Sequence, residues 1–308
     1  MDNISIKSVD LWIILRSLLF FCKKIYILYV CVKINSILIF FVLRGELMDI
    51  KNKYTLITGG TEGIGFELAK LFAKDNHNLI IVARNEEKLH NIKEQLMDHY
   101  GIAVKTMSLD LSVDNSCEQL TDFVDNSDII VDNLINNVGI GSYGYFVDTK
   151  DGFEDKIVNL NILSLTKLTK HYLKSMIENG EGGILNVSST AGFTSGPKMS
   201  LYYSTKSYVL SLTEAIHEEV KPLGIRVSCL CPGPVRTNFQ KKAGIRKSEG
   251  AKKCLMDPEY VAKVAYEGFK KNKAIIVPGY KNKILLFFNK IIPRSLSRKV
   301  IMITNKYF

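Results

Sequence analysis

The sequence has no uncharged apolar run long enough to cross a bilayer, no cysteines at metal-ligand spacing, no internal repeat and no low-complexity tract. Its longest uncharged apolar stretch, 34–43, falls well short of the ~20 residues a spanning helix needs. No small-residue cleavage site follows the apolar N-terminal stretch, which excludes an ordinary secretory leader. The six cysteines are scattered, which fits a reducing compartment and leaves no metal site to expect. Cys229 and Cys231 alternate on an expected strand and read as small apolar fillers. Acid is missing altogether from residues 280–308, which hold seven Lys or Arg. Residues 1–47 hold six Lys or Arg against three acids, so the two ends account for the whole formal net charge of +10. Residues 48–279 are therefore neutral overall. Basic charge confined to two apolar ends argues against a nucleic-acid groove and for a membrane surface.

What the chain does have begins at Tyr54-Thr-Leu-Ile-Thr-Gly-Gly-Thr-Glu-Gly-Ile-Gly65, an apolar run that ends in glycines and passes into a helical pattern. It reads as strand, phosphate-binding turn and helix. Such a turn needs residues that tolerate positive φ and close approach of an anion, and the helix that follows points free N–H groups at that anion. Onward from Tyr54 short β-rich runs alternate with helical ones. Strands are expected at 54–58, 78–83, 104–108, 133–136, 184–187, 225–230 and 274–277. Helices are expected at 64–74, 86–99, 116–124, about 154–178 and about 201–221, with another opening on Asp257-Pro258-Glu259. This alternation means crossover units, so the fold class is α/β, a Rossmann-type doubly wound parallel sheet of about seven strands in a single domain. Ligands of such sheets bind at the carboxyl ends of the strands.

The loops at those ends carry the chemistry. After the second strand stands Arg84, where an enzyme selecting NAD usually has an acid; a guanidinium there suits a 2′-phosphate, and the alternative is a solvated arginine. Asp110 and Leu111 follow the third strand, and Asn136-Asn137-Val138-Gly139 ends the fourth. Ser188-Ser189 ends the fifth. Thirteen residues past Ser189 comes Tyr202, with Lys206 at i+4 on the same helix face. An ammonium beside a phenol is expected to lower the phenol's pKa toward working pH, where it can give or take the proton that accompanies hydride transfer. Tyr29/Lys33 and Tyr266/Lys270 share the spacing, but Arg16 and Lys253 lie thirteen residues before those tyrosines rather than a serine after a strand. Tyr203 lacks a lysine at i+4 and is assigned to packing or the pocket wall.

Taken together, Thr58-Gly59-x-x-x-Gly63-x-Gly65, Asn136-Asn137-Val138-Gly139, Ser189, Tyr202-x-x-x-Lys206 and Pro232-Gly233-Pro234-Val235-Arg236-Thr237 resemble the short-chain dehydrogenase/reductase family in its single-domain form, over about residues 50–280. The resemblance implies that Ser189 hydrogen-bonds the substrate carbonyl, that Tyr202 is the general acid/base, and that Lys206 binds the nicotinamide ribose while tuning Tyr202. Asn161 matches the family's helix asparagine that holds a water in the proton relay, with Asn159 as its competitor. The implied cofactor cradle is Thr58, Gly59, Thr61, Glu62, Gly63, Ile64 and Gly65 in the turn, then Arg84, Asp110, Leu111, Asn137, Val138 and Gly139, then Tyr202 and Lys206, and finally Pro232, Gly233, Val235 and Thr237. Ala83-Arg84-Asn85 is similar to members that use NADP, so NADPH is expected over NAD. The Asn-Ile-Leu-Ser run at 161–164 is similar to the ketoacyl-reductase and hydroxysteroid-dehydrogenase branch. Two positions depart from the pattern: Val138 stands where the family more often has Ala, and Glu62 occupies a turn position often basic in NADP enzymes.

The ends are read separately. Residues 1–47 form an apolar basic extension, either a membrane anchor centred on 25–43 or sequence upstream of a start at Met48. Over that window roughly fourteen apolar residues at about −0.4 kcal/mol each outweigh about +3 kcal/mol for Lys33. Residues 48–279 form the catalytic domain, with 238–256 as a mobile substrate lid or a solvated loop. Residues 280–308 form a basic apolar tail that lies in a membrane interface, covers an apolar substrate's entrance, or packs on the same or a second subunit. The expected function is NADP(H)-dependent hydride transfer between nicotinamide and a carbonyl or secondary alcohol on a moderately large apolar substrate. A non-catalytic dinucleotide-sensing scaffold and an epimerase or dehydratase on the same fold are the rivals. The expected setting is cytoplasmic with membrane association through either end. The family's habit of pairing long helices implies a homodimer or homotetramer. Substrate identity and physiological direction are not written in the sequence.

Overall fold

In a computed structural model the structure describes residues 52–245 and 255–305. The N-terminal extension and residues 246–254 of the expected lid lie outside them. The described residues from 53 onward belong to one compact unit. Strands are β1 (Lys53–Thr58), β2 (Asn78–Ala83), β3 (Val104–Ser108), β4 (Ile130–Asn136), β5 (Gly183–Val187), β6 (Arg226–Leu230) and β7 (Ile275–Ile276). Helices are α1 (Gly63–Lys74), α2 (Glu86–Tyr100), α3 (Ser116–Asp125), α4 (Phe153–Val158), α5 (Ser164–Asn179), α6 (Ser200–Val220), α7 (Phe239–Lys242), α8 (Pro258–Lys270), α9 (Tyr280–Ile291) and α10 (Arg294–Thr304).

All seven strands pair in parallel, in the order β3-β2-β1-β4-β5-β6-β7. Both faces of the sheet are covered, so the central strands are apolar at successive positions instead of alternating with polar ones. Leu56 is in register with Ile80 and Leu134, and Leu134 with Ile184; these four join Leu120 and Tyr172 in the core on one face. Their neighbours Ile57, Ile81, Ile135 and Leu185 join Leu68, Phe72 and Phe269 on the other. The chain reverses its direction of travel across the sheet between β1 and β4, so the crevice at the carboxyl ends of those two strands is where a ligand belongs.

Strand ends and the long helix depart from expectation. The fourth strand starts at Ile130, three residues before the expected 133, and the last pairs only through Ile275 and Ile276. The single helix expected over 154–178 is broken into α4, a π-helical turn Asn159–Leu163 and α5. The tail past 280 folds as α9 and α10. Among the described residues no helix is long and apolar enough to cross a membrane.

Candidate active site

The switch point is built from hydroxyl, amide and glycine. Thr58, the last residue of β1, receives the backbone N–H of Asn137 at 3.0 Å and of Val138 at 3.2 Å on its hydroxyl. Asn137 returns its amide to the carbonyls of Thr58 and Gly59, both at 3.0 Å. These bonds clamp the end of β4 to the glycine turn. Gly59 has φ of +69°, and a Cβ on Gly65 would stand 2.4 Å from the Gly59 carbonyl, so neither position admits a side chain without moving the turn. Thr237 reaches the other side of the turn, its Cγ2 2.9 Å from where a Gly63 Cβ would stand. Residues 58–65, 137–139 and 237 are thereby brought together from three distant stretches. Ile64 and Val138 turn their side chains toward the two cores, and Leu111 is buried, so any contact these make with a ligand is through the main chain. Val235 is buried and bridges to Met256, while the Pro232 carbonyl accepts from the Thr190 N–H at 2.9 Å.

Charge at the mouth of the turn is arranged around Glu62. Its carboxylate meets Lys242, takes the Asn238 amide at 2.8 Å and lies 3.4 Å from Lys88. Burial alone would raise its pKa, but the hydrogen bonds from Lys242 and Asn238 and the charges of Lys242 and Lys88 hold it at about 2. Glu62 is therefore ionised throughout the physiological range. Arg84 is half exposed and touches Asp110 at 3.5 Å. Burial of Asp110 works against its charge, yet two hydrogen bonds from Ser112 and the Arg84 guanidinium bring its pKa below the ordinary carboxylate value.

Proton-transfer groups gather at the end of β5. Ser189, the second residue past β5, caps a short 3-10 turn, Thr190–Phe193, by accepting the Ala191 N–H at 3.1 Å. Its hydroxyl lies 3.4 Å from the Pro232 carbonyl and is near enough to the Tyr202 phenol, from the first turn of α6, to favour that group's ionised form. Lys206, one turn on, is buried and donates its ammonium to the Val187 carbonyl at 2.7 Å, with its nitrogen 5.9 Å from the centre of the Tyr202 ring. Asn161, on the π turn, is also buried: its Oδ1 accepts from the Ile140 N–H and its amide donates to the Ile140 carbonyl, both at 2.9 Å, and to Thr205 at 3.1 Å. A Cβ on Gly139 would lie 3.3 Å from Asn161 Oδ1 and 3.4 Å from Lys206 Nζ, so the glycine keeps room where these two converge. Asn159 faces elsewhere and reaches only the Ser112 carbonyl, at 3.4 Å.

One expectation about the pair is corrected. Lys206 does not lower the Tyr202 pKa: burial pushes the phenol up to about 12, against the pull of the Ser189 hydroxyl, and pulls Lys206 down to about 8. Desolvation wins because the ammonium is engaged by a backbone carbonyl and is not in hydrogen-bond contact with the phenol. Tyr202 in this form is a neutral proton donor across the neutral range.

Three neighbours complete the surroundings of the pair. Phe239 of α7 leans over Tyr202 with ring centres 5.2 Å apart, and a Cβ on Gly141 would meet Phe239 at 3.0 Å and Tyr202 at 3.2 Å. No spacing rule announces Phe239; its only signal is that it follows directly on Thr237-Asn238. Ser188, passed over beside Ser189, fixes α6 by donating to the Lys206 carbonyl at 2.7 Å. Tyr203 packs on the bare backbone of Gly196, where any Cβ would fall within 2.2 Å of its ring.

Residues 53–248 match the short chain dehydrogenase family. A very-long-chain 3-oxoacyl-CoA reductase of Rattus norvegicus is 31% identical over 267 residues, which cover 82% of this chain and 80% of that protein. The one of Mus musculus is 32% identical over 194 residues, 61% of each, so that match spans about three fifths of its length. A solved short-chain dehydrogenase from Sphingobium yanoikuyae in complex with NADPH superposes with a TM-score of 0.69 at 29% identity, covering 74% of this chain and 88% of that one.

Proposed function

The chain belongs to the short-chain dehydrogenase family, and from that premise we propose that it is an NADP(H)-dependent reductase of a carbonyl on a moderately large apolar substrate. The observation that carries this is the convergence of Ser189, Tyr202, Lys206 and Asn161 beside a turn whose glycines leave the main chain open to a pyrophosphate. The turn 58–65, residues 137–139 and Thr237 would hold the cofactor, with Arg84 taking a 2′-phosphate and Lys206 the nicotinamide ribose. When bound, the cofactor supplies the hydride that goes to the carbonyl carbon. Ser189 and Tyr202 would each hydrogen-bond the carbonyl oxygen, drawing electrons from its carbon. As negative charge develops on that oxygen, Tyr202 gives up its proton, which a phenol held near 12 retains until then. Lys206 places a buried positive charge behind the phenolate that results. Asn161, itself bonded to Thr205, holds the Ile140 loop in place.

The relatives named as 3-oxoacyl-CoA reductases support a long acyl thioester as the substrate class, and the hydroxyl-lined site with Phe239 above Tyr202 suits an apolar chain next to a carbonyl. Such substrates partition into membranes, so the reading extends to an enzyme working beside one. A second copy of this chain would seat on the groove between α3 and α5, lined by Glu118, Asp125, Lys167 and His171, which shares no residue with the site.

The test is Tyr202→Phe with NADPH and a 3-oxoacyl thioester. We expect kcat/KM to fall by about 10²–10⁴ while NADPH binding stays at the wild-type level. Wild-type turnover in the Phe variant would sink the proton-donor role, and a wild-type chain that binds NADPH yet reduces no carbonyl would favour the sensing scaffold.

A further inference from the structure

Helices α9 and α10 are built inside out. On α9 the residues turned to the body are Asn282, Leu286 and Asn289, spaced as one helical stripe. Asn282 donates to the Pro278 carbonyl at 2.8 Å, and Asn289 to the Phe193 carbonyl at 3.0 Å. On α10 the inward positions are Ser297, which donates to Asn289 at 2.6 Å, and Asn305 just past its end, which donates to the Pro197 carbonyl at 2.8 Å. Most of the large apolar residues point the other way. Ile284, Leu285, Phe287, Phe288 and Ile291 on α9 are 51–66% exposed, and Leu296, Val300 and Ile303 on α10 are 46–57% exposed. Thus 284/288/291 and 296/300/303 form two i, i+4, i+7 stripes facing away from the protein. A surface helix of a globular protein normally shows the reverse, with its apolar stripe on the core.

The charges bordering this face are all of one sign. Lys281, Lys283, Lys290, Arg294, Arg298 and Lys299 surround it with no acid on either helix, and none of the six forms an ion pair among the described residues. Arg294 and Arg298 line a small polar hollow with Thr194, Ser195, Asn289 and Ser297, where hydroxyls, an amide and two guanidiniums suit a phosphate group. An outward aliphatic and aromatic face ringed by cations is complementary to an anionic lipid surface, which supplies hydrocarbon at the centre and negative headgroups at the rim.

We propose that α9 and α10 form a docking face for an anionic lipid bilayer, and that docking sets the substrate entrance of the active site against the membrane. The second half follows from where the pair is tied down. Asn289 holds the Phe193 carbonyl at the end of the turn that Ser189 caps, and Asn305 holds residue 197 while its own carbonyl accepts from Tyr143. The proposal rests on the apolar-substrate reading above, because only a substrate dissolved in the bilayer gains from such a placement.

The experiment is flotation of the full chain with vesicles of phosphatidylcholine alone or mixed with phosphatidylserine. Two variants accompany it, one combining Phe288→Ser, Ile291→Ser and Ile303→Ser, the other combining Lys290→Glu and Arg294→Glu. We expect the wild type to float with phosphatidylserine vesicles and to release at high salt. The charge variant should bind at least about thirtyfold more weakly and the serine variant should stay in solution. Both variants should reduce a water-soluble ketone at the wild-type rate, which separates this test from that of the catalytic reading. Three outcomes overturn the proposal: a wild type that does not float, variants that float as it does because residues 1–47 carry the binding, or a serine variant that lowers the molar mass in light scattering, which assigns the face to a second copy.

Discussion

Tyr202 and Tyr266 each have a lysine one turn further along a helix, and the two pairs do different things. Tyr266 donates its hydroxyl to Asp75 at 2.6 Å, and Lys270 meets the same carboxylate at 2.8 Å, so the pair ties α8 to the end of α1. Tyr202 has a serine hydroxyl in front of it instead, and no carboxylate. Spacing at i, i+4 puts phenol and ammonium on one face; the third group decides what they do. That is why Ser189, Tyr202 and Lys206 were legible in the sequence, since strand end, crossover and helix fix their separation. Phe239 was not, because it lies on a loop whose path no periodicity records. The opposed shifts of the pair also make a pH prediction. In the proposed mechanism reduction needs Tyr202 protonated, which a pKa of about 12 secures, and Lys206 charged to support the phenolate left behind. Lys206 is depressed by burial and loses its proton as pH rises through about 8. The kcat/KM for reduction should therefore be flat below about pH 8 and fall by about tenfold per pH unit above it. A profile with no break between about pH 7 and 10 would show that the Lys206 charge is not used.

At the scale of elements, the π turn Asn159–Leu163 is what the sequence hid. The apolar periodicity runs from α4 into α5 without a break, and one extra residue in a turn leaves no mark on it. Its cause is visible only in three dimensions. The carbonyls at Leu160 and Ile162 accept from the hydroxyls of Ser164 at 2.6 Å and Thr166 at 2.8 Å, which satisfies backbone groups that the widened turn displaces. The widening aims Asn161 inward at both the N–H and the carbonyl of Ile140. Asn161→Ala should then cost about 1–3 kcal/mol of stability, because it strands polar groups that water cannot reach. Urea unfolding is the measurement: the midpoint should drop with the slope m unchanged, whereas Asn159→Ala, which loses one long and partly exposed bond, should move it by less than about 0.5 kcal/mol. Equal midpoints for the two variants would mean that the π turn holds without Asn161. The sheet, by contrast, was legible in its strand number and parallel direction though not in every strand end, because strands buried on both faces must be apolar at consecutive positions and the crossover rule then sets their direction.

For the whole molecule, composition located the charge at the two ends but could not say which way the tail helices face. An apolar stripe has the same period whether it looks at the core or at solvent, and only the inward asparagines and serine of α9 and α10 settle it. Cofactor choice is likewise a sum over the molecule's surface. Arg84 and Lys88 favour a 2′-phosphate, while Glu62 opposes one and is itself held by Lys88 and Lys242. Arg84 is half exposed and held by a single 3.5 Å contact to Asp110, so it is free to turn to a phosphate. Thermal unfolding of the full chain measures the balance without any substrate. A ligand at about 100 times its Kd adds about 2.7 kcal/mol to the native state, which for a unit of this size corresponds to a rise in Tm of about 5–10 °C. NADPH should give a rise of that order and NADH, at the same concentration, a clearly smaller one; Arg84→Ala should bring the two together by weakening NADPH alone. Equal shifts in the unaltered chain would mean that Glu62 cancels the cations, and the carbonyl panel should then be run with NADH.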